Sequence, residues 1–207
     1  MAQAAGEDGM ISAIRDVGDT LVQLLRNNLQ GLSGGDLVAL CSPADALGNS
    51  NIRVGVFLYS INPSADMRNE LEIPHEEGLE QVAYQPLDLY YLMTSYRKTA
   101  TDPTEPVQDA HLLLGQLMRI FFDHATLTGS VLRGQLPRDQ EIRLTHQPIT
   151  VEDVTRLWGS LPNVALQTSV SYLVSPVRIR SIRGVAPKKV STRRSVFAPM
   201  VPEEVKL

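Results

Sequence analysis

One stretch of this 207-residue chain fits a catalytic signature. Gly31-Leu32-Ser33-Gly34-Gly35 matches G-x-S-x-G, the nucleophile elbow of serine hydrolases. That elbow exposes its serine on a sharp turn between a strand and the helix that follows it. Here the order is reversed: a helical pattern over residues 10–29 precedes the motif and a short strand over 36–41 follows. The match is therefore read as accidental. His75, His111, His124 and His146 have no metal-ligand spacing, and none has a histidine four residues on, as a helical metal pair requires. They read as surface or helix-end residues. The single cysteine, Cys41, excludes an intramolecular disulfide framework and a multi-cysteine metal site, and it fits a reducing compartment. No Walker A loop and no G-x-G-x-x-G occurs. Carboxylates are plentiful, but a catalytic pair is defined by geometry rather than by count. The expectation is a protein that is not an enzyme, with no catalytic, cofactor-binding or metal residues and no cofactor.

The residue types that do stand out suit a partner. Net charge is −4, with 19 Lys/Arg against 23 Asp/Glu, but the two signs are segregated. Residues 1–177 carry 11 basic and 21 acidic side chains, whereas residues 178–207 carry 8 and 2. From position 181 the chain turns basic and rich in proline, too polar to make its own core. It reads as a basic C-terminal arm over 181–207. Arg183, Lys188, Lys189, Arg193 and Arg194 would steer it and Phe197 would anchor it on another chain. Nucleic acid is the alternative partner, reached through counterion release. An acidic body opposes that, since a nucleic-acid binder ordinarily presents a basic domain.

The body that carries the arm is organised around residues 87–123. Leu87, Leu89, Tyr91 and Met93 share one face of a strand, with Asp88, Tyr90, Leu92 and Thr94 on a partly buried second face. After a polar bridge over 97–106, a helix over 107–123 puts Ala110, Leu113, Leu114, Leu117, Ile120 and Phe121 on one wide stripe. Leu112, Met118 and Phe122 lie off that stripe, so this helix is apolar on more than one side. Met118 and Phe122 are expected to be exposed or in an interface.

Around this unit the remaining elements follow in order. The first helix, read over 10–29, places Met10, Ile14, Val17, Leu21, Leu24 and Leu25 inward, with Gly18 costing about 1 kcal/mol relative to alanine. Residues 42–51 read as a polar loop. Residues 52–61 are apolar on both faces, as in a strand at the middle of a sheet. Residues 64–85 form a long acidic connection. Residues 141–147 alternate as a half-exposed strand, and Thr150-Val151-Glu152-Asp153 opens a short helix that places Trp158 in the core. Residues 165–175 are the last strand of the body, and Pro176 with a change of apolar phase marks a bulge or a new edge segment. Residues 1–8 lack a signal peptide's basic n-region, and the longest uncharged stretch, 157–177, is too interrupted to span a membrane. The division expected is a flexible N-terminus at 1–9, a domain at 10–180 and the arm at 181–207.

Several phrases together resemble a known family. They are Met10-Ile11-Ser12-Ala13-Ile14-Arg15-Asp16-Val17-Gly18-Asp19-Thr20-Leu21, Val54-Gly55-Val56-Phe57-Leu58-Tyr59, the strand Leu87–Tyr96, the helix leading to Asp123-His124, and Val154-Thr155-Arg156-Leu157-Trp158. They resemble the tail-cap, or tail-terminator, proteins of extracellular phage-tail-like contractile injection systems, of the Photorhabdus virulence cassette and antifeeding-prophage type. The resemblance spans residues 10–179; Ala125 departs from it, a proline after the histidine being commoner. It implies an α+β fold, a small mixed β-sheet packed by two or three helices and similar to phage tail terminators. It also implies a structural role: a homohexameric ring that closes the distal end of the inner tube and contacts the sheath. The partners would be a second copy of the chain, the tube protein and the sheath protein, with no nucleic acid and no membrane insertion. Assembly would be cytoplasmic, in a particle that can be released. The arm lies outside the matched region.

Overall fold

The computed structural model describes residues 12–32, 34–65, 81–97, 104–161 and 164–185; for 81–83 and 180–185 only the backbone path is described. In chain order the elements are α1 (Ala13–Asn28), β1 (Leu37–Leu40), α2 (Pro43–Gly48), β2 (Ile52–Pro63), β3 (Gln81–Ser95), α3 (Thr104–Asp123), β4 (Thr126–Leu127), a 3-10 turn (Gly129–Val131), β5 (Ile142–Gln147), α4 (Val151–Gly159) and β6 (Ser169–Val185). The strands form one sheet in the order β1-β2-β3-β6-β5-β4. β1 runs parallel to β2 and every other pair is antiparallel, so the sheet is mixed.

Alternation along the strands decides which face carries the core. Val54 and Val56 of β2, Leu87, Leu89, Tyr91 and Met93 of β3, Tyr172, Val174 and Val177 of β6, and Ile142 and Leu144 of β5 all point to one side and are buried. Val17, Leu21, Leu24 and Leu25 of α1 and Leu117, Ile120 and Phe121 of α3 close over them. Phe121 meets Tyr172 edge-on, with ring centroids 4.9 Å apart. Gly18, a cost by helix propensity, lies directly under the Leu40 side chain here. A Cβ on it would come within 2.9 Å of Leu40, so the glycine lets β1 lie against α1.

The second face of β3 is buried more deeply than alternation predicts. Leu92 and Thr94 are buried, whereas Asp88 and Tyr90 are half-exposed. Tyr59 reaches across β3 to Ser171 of β6, hydroxyl to hydroxyl at 2.9 Å, and so roofs part of that face. Polar side chains from neighbouring strands thus cover what a one-dimensional pattern leaves open.

Several elements differ from the expectation: α3 already begins at Thr104, inside the expected polar bridge, and β6 begins at Ser169 rather than at 165. Residues 42–51 contain a helix: Ser42 accepts the Asp45 amide at 3.2 Å and Pro43 occupies the first turn. Ser-Pro-Ala-Asp is a helix-entrance signal that the polarity of the stretch had masked. β3 begins at Gln81, inside the expected acidic connection, and β6 runs on to Val185, with Gln81 paired to Val185. Arg183 is therefore on a strand, because a backbone ladder extends through polar sequence without needing a core. Opposite Asp88 the β6 register slips across Ser175 and Pro176, the bulge that the phase change at Pro176 announces.

Candidate partner-binding site

The buried polar side chains of Arg53, Asp16 and Thr20 are committed to holding the fold together. The Arg53 guanidinium is buried and bonds the Tyr96 carbonyl at 3.1 Å, the Asp109 carboxylate, and Asp36 at 3.6 Å. It ties β2, the approach to β1, the end of β3 and the first turns of α3 at one point. Asp16 accepts the Ser12 hydroxyl at 2.6 Å and the Gln135 amide at 2.9 Å, and Thr20 accepts the Arg133 amide at 3.0 Å. Burial pushes the Asp16 carboxyl up, but the Ser12, Gln135 and Arg15 hydrogen bonds outweigh it and hold the group below its ordinary value. Gly134 lets that loop approach: its φ is +63°, and a Cβ there would overlap the Asp16 carboxylate. These networks are internally satisfied and fix loops to helices.

The elbow-like motif is flanked by α1 and β1, not by a strand and a helix, and Ser33 itself lies outside the described residues. His124 closes α3, with its ring nitrogen 2.9 Å from the Ile120 carbonyl. His111 is exposed on α3, His146 is exposed with its ring against Tyr172, and His75 lies outside the described residues. Among the described residues no group of His, Cys, Asp or Glu is placed to hold a metal ion, and no helix is long and apolar enough to cross a membrane.

What remains unaccounted for is on the surface. α3 carries an outward ridge of Leu112, Met118 and Phe122; Leu112 is 61% exposed and Phe122 82%. Gly115 lies between them with open space around it. The sequence placed Met118 and Phe122 outside, and that is where they lie. A second apolar surface was not foreseen. An open groove of about 500 Å³ runs between the first turn of α1 and the β1–β2 corner, lined by Ile14, Arg15, Leu40, Cys41, Phe57 and Leu58. Its floor is Val56 and Tyr91. Beside it, β1 pairs β2 only as far as Val56, and the Cys41 amide makes the last bond to the Val56 carbonyl at 3.1 Å. From 57 to 63 the outer edge of β2 has no partner strand among the described residues. The predicted central strand is central in its first half and an edge in its second.

Of the arm residues, Arg183 sits on the β6 ladder. Lys188, Lys189, Arg193, Arg194 and Phe197 lie outside the described residues.

The sequence model of the Pvc16 N-terminal domain matches residues 16–193. The chain belongs to the Pvc16 N-terminal domain family. The matched region covers the whole described sheet. The family's fold is recognisable in two solved structures. The sheath/tube terminator of the extracellular contractile injection system PVC, in the extended state, is 18% identical with a TM-score of 0.55, over 94% of this chain and 65% of that one. The tube-terminating cap of the anti-feeding prophage is 16% identical with a TM-score of 0.58, over 88% of this chain and 61% of that one. The chain thus spans a little under two thirds of the length of each. No curated protein matches it. The α+β fold, with its mixed six-stranded sheet and packing helices, is that of these tube terminators.

Proposed function

We propose that the chain is a structural cap that terminates the inner tube and sheath of a contractile injection system by forming a ring of six copies at the distal end. The observation that carries this reading is the shared fold, over nearly the whole chain, with one terminator of sheath and tube and one terminating cap of a tube. A closed ring of identical subunits uses two different surfaces of each copy, and the exposed α3 ridge and the α1–β2 groove are two apolar surfaces that would serve it. Capping requires binding and shape complementarity rather than bond chemistry, in keeping with buried polar groups that are spent on loops and helix ends. Assembly takes place in the cytoplasm as part of a particle that is then released. The nucleic-acid adaptor reading finds no support in either similar structure.

In this reading the basic arm holds the cap to a neighbouring copy or to the sheath. Arg183, Lys188, Lys189, Arg193 and Arg194 supply steering charge and Phe197 an apolar anchor. Co-expression with tube and sheath proteins tests the cap directly. Particles of uniform length closed by a sixfold ring in electron micrographs are expected, and tubes of unlimited length when the chain is withheld. Particles of the same length with and without the chain would refute it. Truncation after Val185 tests the arm. The shortened protein folds but attaches more weakly, and it loses the steep salt dependence of the full chain, since exposed charges are screened. Equal attachment of both forms at every salt concentration would remove the arm from the interface.

A further inference from the structure

We propose that the outward ridge of α3 on one copy seats in the α1–β2 groove of the next, with Phe122 as the inserted side chain. The inference rests on the ring reading above and names the contact that closes the ring.

Two apolar surfaces stand without partners among the described residues, and they differ in shape. One is a helix ridge ending in a phenyl ring that is 82% exposed. The other is a concave groove of about 500 Å³, within the roughly 300–1,000 Å³ of cavities that enclose a small ligand. A fully buried aromatic side chain removes about 150–250 Å² from water. Phe122 with Leu112 and Met118 therefore makes an apolar patch comparable to the largest found on ordinary monomers, about 300–600 Å². That is less than the roughly 800 Å² per partner of a standard interface, so the ridge supplies the centre of the contact and charged residues its rim.

The charges around the two surfaces are complementary. Exposed Asp123 and Arg119 flank Phe122 on α3. At the groove, Arg15 lines the wall; its side chain is largely in solvent and donates to the Asp16 carboxylate at 3.3 Å, which leaves the rest of the guanidinium facing outward. Asp19 is exposed on α1 one turn beyond Arg15, and Asp45 is exposed on α2 four residues beyond Cys41. Seating Phe122 brings Asp123 toward Arg15 and Arg119 toward the two aspartates. Gly115 lets the ridge approach without a side chain in the way. When the ridge and the groove of one copy engage two different neighbours the contact is head-to-tail and closes a ring, whereas two copies that exchange it reciprocally stop at a twofold dimer and give no ladder beyond it.

Cys41 is the chain's only cysteine and it lines the groove, so the contact can be trapped. In Phe122→Cys protein treated with a short bismaleimide, the contact gives a covalent ladder of multimers on a denaturing gel. The ladder disappears when Cys41 is replaced by Ser. Cross-links that persist without Cys41 would mean a ridge-to-ridge contact and overturn the proposal. So would a ring seen by sedimentation that gives no cross-link. A wild-type chain that sediments as a monomer at every concentration would instead overturn the ring reading itself. A charge exchange tests the rim without touching Phe122. Asp123→Arg and Arg15→Asp each weaken self-association about tenfold or more, and the double variant recovers it, as a direct pair requires. Two additive losses with no recovery would show that the two residues do not meet.

Discussion

The two long helices lie on the same face of one sheet and are built to different rules. α1 exposes Arg15, Asp19, Arg26, Asn27 and Asn28, all polar, and buries Val17, Leu21, Leu24 and Leu25. α3 buries Leu113, Leu114, Leu117, Ile120 and Phe121, and then places Leu112, Met118 and Phe122 in solvent as well. A helix that serves only its own fold needs one apolar stripe. A second stripe adds nothing to folding and exposes apolar area, and it is this stripe that the proposed ring contact would cover. The inner face of each helix is set by its own sheet, and the outer face by the company it keeps.

Substitutions on the two sides of α3 should therefore differ sharply. Leu117→Asp buries an unpaired charge in the core and should cost on the order of 4 kcal/mol or more, enough to unfold a domain of ordinary stability. Soluble yield and a circular-dichroism melt check this; a variant that melts like its parent would mean the inner face is misassigned. Arg53→Met comes next. It removes the cation from Asp36 and Asp109 and the Arg53 bond to the Tyr96 carbonyl, and should cost on the order of 3 kcal/mol, limited because Asp109 reaches solvent. A shift of the urea midpoint reports it.

A smaller effect separates α1 from α3 by pH. The folded Asp16 carboxyl is held below its ordinary value, so its contribution is present above the unfolded value of about 3.9 and is lost as pH falls through the folded one. Asp16→Asn should be less stable than the parent by about 1–3 kcal/mol at neutral pH, and the gap should close on acidification below pH ~4. Melting curves at stepped pH decide it; a gap that widens in acid would reverse the assignment. The smallest effect is expected at Phe122→Ser, within about 0.5 kcal/mol of the parent in the stability of the isolated subunit. A large loss there would erase the distinction between the two helices.

The inner faces of both helices and the core face of β3 were legible in the sequence because each repeats at its own period over several turns or residues. Phe122 and Met118 were legible as off-stripe residues for the same reason. The α2 helix was hidden because six residues are too few for periodicity, leaving only the Ser42 cap and Pro43 to announce it. The ends of β3 and β6 were hidden because each is a strand through its partner: Gln81 and Val185 are neighbours across the ladder and 104 positions apart in sequence. The groove was not legible at all. It exists only where α1, β1 and β2 meet, and Ile14, Leu40 and Phe57 share no periodic pattern. The arm beyond Val185 lies outside the described residues, and only its charge and composition were legible.

One consequence of the half-open β2 edge concerns length. Pro63 has no amide hydrogen and cannot carry a ladder further, while the Cys41 bond to Val56 closes the edge at its other end. The interval between them admits an added strand of about six residues, some 20 Å at the ordinary rise per residue. Such an edge acts as a ruler. A visiting segment of that length finds a partner for every backbone group that faces the edge, whereas a longer one leaves its surplus amides to water. The stretch Ser195-Val196-Phe197-Ala198 is itself cut short by Pro199, so the chain carries a segment short enough to be measured by its own kind.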